Sequence, residues 1–352
     1  MRSPFLCRKR QPWAMPFSRS RGSCLSNIPR DEACRRPPVP VQGGKDDGAR
    51  SSLRSSQDAV MRVGAEIRSP VALVLCGGGS RGAMEVGFYR AIRDLGVPVD
   101  FIIGSSIGAL NGAFFCAGMR PEKVAELWCG FRRREALRIN LRGLLAPWRY
   151  SAFFDLDPLR RRLREVLPVT RFEDLPVPLI VVTTDLQEGK PAYWSGTGDI
   201  VEPVISSMSL PGVFPPVEME GRQFVDGGIA NNVPLDKAVE LGARTILMIR
   251  CTCCEPSLKP FRGIARVLVR SFSIALERKF AAELDHFGAL VRLHSVQPRF
   301  PHEIDLLDFR YSGELIDAAY RQTIEYFTAP VAGADSLVCP SNMIPSEGVA
   351  PK

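Results

Sequence analysis

Apolar residues along this chain fall into short continuous runs that alternate with stretches of helical period. Val71–Leu75 is a run of five apolar residues and reads as a buried strand. Arg81–Leu95 then reads as a helix, with Met84, Phe88, Ala91, Ile92 and Leu95 on one face. Phe101–Ile103 is the next strand. Ile107–Ala117 is apolar almost all round, which predicts a buried helix. Pro121–Phe131 is amphipathic and opens with proline in its first turn. Asp157–Leu167 is a charged surface helix, and Leu179–Thr183 and Arg244–Ile249 are further buried strands. A helix near Phe261–Leu284 and a strand near Ala289–Leu293 follow. The last helix carries Leu315, Ile316, Ala319, Tyr320, Ile324 and Phe327 as one stripe. This alternation predicts an α/β fold, a mostly parallel central sheet with helices on both faces.

The two ends break the pattern. Residues 1–68 scatter Pro, Ser, Arg and Gly without period and read as a disordered basic arm. Met61, ten residues before the first strand, is an equally good start, which would make the arm a mis-called beginning. Residues 69–250 read as the catalytic core, 251–330 as an extension packed on it, and 331–352 as an irregular tail.

Charge sharpens this division. The formal net charge of +8 resides in residues 1–70, where 14 basic residues face 6 acidic ones. The rest of the chain holds 32 of each sign, so its globular part gives no argument for a nucleic-acid partner. The ten cysteines do not have the spacing of a disulfide framework and read as free thiols of a reducing compartment, with Cys116 and Cys129 buried in helices. Cys251, Cys253 and Cys254 cluster, but no second C-x-x-C or histidine pair accompanies them, so no metal is expected. No apolar stretch reaches the ~18 residues that span a bilayer. The N-terminus has no apolar region of a secretory signal. Its first 30 residues, rich in Arg and Ser and free of acids, have the composition of a transit peptide. The expectation is a cytoplasmic protein; the basic helix bearing Arg262, Arg266, Arg270 and Arg278 reads either as the cover of a sheet face or as a peripheral contact with an anionic membrane.

Two glycine-rich turns carry the chemistry. The first, Cys76-Gly77-Gly78-Gly79-Ser80-Arg81-Gly82, follows a strand and opens a helix. Its G-x-G-x-x-G spacing also fits a dinucleotide loop. Such a site wants an acid at the end of the second strand, whereas Asp100 opens that strand. The Gly-Lys-Ser/Thr of a P-loop is absent. The other use of such a loop is an oxyanion hole, since successive N–H groups at a helix start favour negative charge. The second turn, Gly104-Ser105-Ser106-Ile107-Gly108, is G-x-S-x-G, a nucleophile elbow. Downstream, the run Arg222–Asp226 ends at Gly227-Gly228, which frees Asp226 to face an open site. His286, His294 and His302 all follow Asp226, and none occupies the loop a serine triad needs. A Ser106–Asp226 dyad is the sharper reading.

These motifs and their order resemble the patatin-like phospholipase family, bacterial type. The likeness covers residues 71–250 and weakens toward 328. It includes Ser206-Ser-Met-Ser-Leu-Pro-Gly-Val-Phe-Pro-Pro216, Asn231-Asn-Val-Pro-Leu235 and Leu241-Gly-Ala243. The resemblance implies a three-layer fold and hydrolysis of lipid or phospholipid acyl esters, without a cofactor. It implies Ser106 as nucleophile and Asp226 as proton acceptor. Gly77, Gly78, Gly79 and Arg81 then belong to the oxyanion loop, joined by the N–H of Ile107, with Gly82, Gly104, Gly108, Gly227 and Gly228 shaping the turns. Phe114, Phe115, Met208, Leu210, Val213 and Phe214 are candidates for an acyl groove. Two other readings stay open: a general carboxylesterase or thioesterase, and a non-enzymatic regulator that keeps the fold. Two positions depart from the family. Cys76 stands where many members have Gly or Asp, and Glu85 where many bacterial members have His.

Overall fold

The computed structural model describes residues 67–131, 138–139, 154–251, 260–300 and 304–329. All lie in the compact unit Pro38–Lys352. The arm before 67, Met61, the tail after 330, His302, Cys253 and Cys254 lie outside the described residues, as does the side chain of Arg266.

The sheet is built from the apolar runs. Strands β1 (Val71–Leu75), β2 (Phe101–Ser105), β5 (Leu179–Asp185) and β9 (Thr245–Ile249) are buried along their whole length. Uninterrupted apolar runs are what strands covered on both faces require. They pair in parallel with β10 (Arg292–Val296) in the order β10-β9-β1-β2-β5. Helices flank this sheet, so the expected α/β class holds.

Three strands depart from the parallel pattern. β6 (Lys190–Trp194) and β8 (Arg222–Asp226) both run antiparallel to β5, and β7 (Val217–Met219) pairs antiparallel with β8. A two-residue ladder joins β3 (Arg138–Ile139) to β4 (Phe154–Asp155). The strand expected near Ala289–Leu293 begins at Arg292 instead, because Gly288–Leu290 form a turn in which Leu290 N–H bonds Phe287 O.

Helix α1 (Ala83–Asp94) and the last helix, α9 (Ser312–Thr328), pack along each other. The contact is close at Gly87, where any Cβ would collide with the Ile316 carbonyl. Leu315, Ile316 and Ala319 of the expected stripe are buried there. Helix α2 (Ile107–Cys116) follows β2 and is buried along most of its length, as its apolar composition predicts. Helices α3 (Pro121–Gly130), α4 (Asp157–Val166), α5 (Val201–Ser207), α6 (Gly228–Asn231), α7 (Leu235–Glu240) and α8 (Ile264–Phe287) complete the described set. Cys76, Cys116 and Cys251 are buried free thiols, whereas Cys129 is half-buried and disulfide-bonded, contrary to the free thiol expected there. Among the described residues, no helix is long and apolar enough to cross a membrane.

Candidate active site

Strand register brings Ser106 and Asp226 together. Ser105 at the end of β2 pairs with Val182 of β5, and Asp226 at the end of β8 pairs with Thr183. Strand β6 pairs with both Val182 and Thr183, through Tyr193 and Ala192, and so occupies one edge of β5. β2 and β8 therefore share the other edge, pointing at each other, and their tips meet between neighbouring residues of β5. Ser106 is the first residue past one tip and Asp226 the last of the other.

The turn at Ser106 is strained. Its φ of 55° and ψ of −124° lie where non-glycine residues seldom sit, at a cost of about 1–3 kcal/mol. Hydrogen bonds hold it there. Ser106 N–H donates to Ser207 Oγ (2.8 Å), which in turn donates to Val182 O (2.5 Å). Gly108 lets α2 start tight against β1, since a Cβ there would reach 2.9 Å from Leu75 Cβ and collide with the Leu75 carbonyl. Gly104 likewise faces the backbone of Gly108 and Ala109.

Ser106 is half-buried and Asp226 is 5% exposed. Ser106 Oγ donates to Asp226 Oδ2 at 2.7 Å, and Gly228 N–H donates to Oδ1 at 2.8 Å. Thr184 Oγ1 donates to the Asp226 carbonyl. Burial pushes the Asp226 carboxyl up to about 6, although the bonds from Ser106 and Gly228 pull it back down. Gly227 lies against the Val182 carbonyl and Ser105 Oγ, where no side chain fits. Ser207, Thr184 and Asn232 carry much of this scaffold, and sequence reasoning gave them no role. Ser207 and Asn232 lay within stretches that carried the family likeness, and Thr184 had only its place near a strand end as a signal.

The glycine loop lies against the serine, as a Cβ on Gly77 would be 3.0 Å from Ser106 Cβ. Gly77 N–H is engaged by Asn232 Oδ1 at 2.9 Å. This is at odds with its expected role as an oxyanion donor. Gly78 and Gly79 follow, and Ser80 anchors the loop by donating from N–H and Oγ to the carbonyls of Leu306 and Asp305. Arg81 Nη1 donates to Cys251 O at 3.5 Å, so this side chain is drawn to the β9 end. Gly82 packs on the Ile107 side chain.

Other expectations separate from the site. His286 packs on Phe287, and His294 on Tyr326 and Phe327. Phe114, Phe115, Met208 and Phe214 of the candidate groove are buried core, while Leu210 and Val213 are half-buried. The two family departures, Cys76 and Glu85, converge with Cys251, all three at most 1% exposed.

An α/β sheet that presents a strained serine and a buried aspartate at facing strand tips is the architecture of a nucleophile-elbow protein. The patatin-like phospholipase model matches residues 73–239, so this stretch carries a patatin-like phospholipase domain. Over 184 residues it is 34% identical to neuropathy target esterase sws of Drosophila melanogaster, covering 51% of this chain and 13% of that protein. The mouse patatin-like phospholipase domain-containing protein 7 is 32% identical, with the same coverage. An uncharacterized NTE family protein of Mycobacterium bovis is 33% identical over half of this chain and 48% of its own length. The chain thus matches a small part of the long relatives and about half of the mycobacterial one. Among solved structures, VipD from Legionella pneumophila gives a TM-score of 0.41 at 15% identity, over 73% of this chain and 66% of that one.

Proposed function

We propose that this protein is a serine hydrolase of lipid acyl esters, of phospholipase A or lysophospholipase type. The observation that carries the reading is the 2.7 Å hydrogen bond from Ser106 Oγ, on its strained turn, to Asp226 Oδ2. Ser106 Oγ attacks the acyl carbonyl while its proton passes to Asp226. The resulting oxyanion is held by backbone N–H groups, of which Gly78, Gly79 and Ile107 have no protein acceptor among the described residues. Gly77 supports the loop instead. Collapse of the intermediate expels the alcohol, which takes the proton from Asp226. Water, deprotonated by Asp226, then cleaves the acyl-enzyme. A carboxylate raised to about 6 is a better match for this work than one of ordinary acidity. No metal or cofactor is needed for these steps.

The lipid assignment draws on the patatin-like phospholipase domain match and on α8. Phe261, Val267, Leu268 and Ile274 are all at least 40% exposed within fourteen residues, with Arg262 and Arg278 exposed beside them. Glu277 pairs inward with Arg250, and Lys279 reaches Ala230 O in α6, next to the dyad. This apolar, basic face suits the surface of an anionic bilayer.

The test is fluorophosphonate labelling of the full chain beside Ser106→Ala. Labelling of the wild type alone supports an activated Ser106, and equal labelling of both overturns it. An acyl-chain series then separates a lipid hydrolase, which prefers long chains, from a general esterase or thioesterase. For the membrane face, inactive Ser106→Ala protein should co-sediment with phosphatidylglycerol vesicles. Adding Leu268→Glu and Ile274→Glu should release it.

A further inference from the structure

A second polar cluster is sealed behind the glycine loop. Cys76 follows β1, Glu85 lies in the first turn of α1, and Cys251 follows β9. Their two Sγ atoms and a carboxylate oxygen all lie within 4.8 Å of one another. Cys251 Sγ is 3.7 Å from Glu85 Oε1, and Cys251 N–H meets Cys76 Sγ at 3.5 Å. Among the described residues, no Lys, Arg or His pairs with Glu85, although a buried acid ordinarily needs such a partner. Asn111 Nδ2 donates to Oε2 at 2.8 Å, which leaves Oε1 turned to the sulfurs. Asn111 is itself fixed, donating to Gly82 O and accepting from Trp128 Nε1, both at 2.9 Å.

We propose that Cys76, Glu85 and Cys251 bind one divalent cation of the zinc class, with water as the fourth ligand. Two soft thiolates and one carboxylate suit that metal. Zinc bonds of about 2.3 Å to sulfur and 2.0–2.2 Å to oxygen set tetrahedral ligands roughly 3.5–3.8 Å apart; Cys251 Sγ and Glu85 Oε1 stand at 3.7 Å, and all three ligand atoms lie within 4.8 Å. The outer hydrogen bonds of Asn111 orient the carboxylate as partners of metal ligands do. A small cavity lined by Cys76, Asn232, Arg250 and Phe280 touches the cluster at Cys76. Binding replaces the protons of two thiols and one carboxyl by the cation, so it releases protons and strengthens as pH rises. The site would tie β1, α1 and β9 behind Gly78, where a Cβ would lie 2.7 Å from Cys251 Cβ.

Cobalt(II) is the probe, added to chelator-treated full-length protein kept reduced. One equivalent should give a thiolate-to-cobalt charge-transfer band with the d–d bands of a tetrahedral ion, displaced by zinc. Cys76→Ser and Cys251→Ser should each remove about half of the charge-transfer intensity, one thiolate of two. Glu85→Gln, nearly isosteric, should keep the band and weaken cobalt binding at least tenfold. Cys253→Ser with Cys254→Ser should change nothing. The proposal is overturned by absence of the band in the wild type, by its survival in the Cys76→Ser/Cys251→Ser double variant, or by its loss in the Cys253/Cys254 control. Unchanged affinity in Glu85→Gln overturns the carboxylate ligand and with it the site. A Cys76–Cys251 disulfide in protein isolated without reductant also overturns it, making the pair a redox centre. The readout is cobalt absorbance, so it succeeds or fails independently of ester hydrolysis.

Discussion

Asp226 and Glu85 are both buried carboxyls at the loop end of the sheet, and burial raises both above the usual carboxylate range. Their neighbours differ. Asp226 holds the hydroxyl of Ser106, which reaches the surface, and receives a backbone N–H from Gly228. Glu85 is closed in by Asn111 and by thiols at most 1% exposed. A raised carboxyl is therefore not by itself a mark of catalysis. What separates the two is whether the group on the other end of the hydrogen bond can meet a substrate.

The comparison breaks most visibly at the dyad. Ser106→Ala should abolish hydrolysis of a soluble short-chain ester, and Asp226→Asn should lower kcat/KM by about 10²–10⁴-fold, the usual worth of a positioned base. Survival of activity in either variant would remove the functional half of the contrast. Next comes pH. In the proposed mechanism Asp226 acts as a base only when ionised, so kcat/KM should fall as pH drops through about 6. Its effect on stability has the opposite sign. A carboxyl raised in the fold contributes stability that is full below its unfolded value and is lost as pH rises through about 6. Asp226→Asn should thus melt higher than wild type at pH 8 despite its lowered kcat/KM, which thermal unfolding at pH 4 and 8 would check.

At the sealed acid the same logic acts on stability alone. Asn111→Ala leaves Glu85 Oε2 and Trp128 Nε1 without their partner, at an expected cost of about 1–3 kcal/mol in urea unfolding. The smallest effect is expected at the surface. Arg162 and Glu165 of α4 form an exposed pair at 3.5 Å, and Arg162→Ala should change stability by less than about 0.5 kcal/mol. A larger loss there would mean that burial is not what distinguishes the inner pairs.

The sequence made one half of this contrast readable. β1, β2, β5 and β9 are built on continuous apolar runs, and glycines around Ser106 and after Asp226 mark the turns that bring the two together. The antiparallel edge was hidden: β6 opens with Lys190-Pro191 and is only half-buried, and β7 has three residues, too few to show a period. Helix α5, at seven residues, was hidden for the same reason. Cys76 and Glu85 stood out as departures from the family pattern, and Cys251 only beside Cys253 and Cys254. Their meeting depends on β1 and β9 lying side by side, although Cys251 is 166 residues from Glu85. The local sequence around each carries no trace of that pairing. Gly77 shows the limit of motif reading, since the loop was recognised while the acceptor of its N–H, Asn232, lay 155 residues away.

The end-to-end meeting of β2 and β8 along one edge of β5 makes that strand a gauge. Ser106 and Asp226 stand 120 residues apart in the chain, yet their spacing is set by the single step from Val182 to Thr183. Loops between them can lengthen or shorten without altering the dyad. One residue inserted at that step would part the two tips by roughly 3.3 Å, a strand's rise per residue, and turn every later side chain to the opposite face. Variation across such proteins is therefore expected to accumulate in the intervening loops and to spare the length of β5.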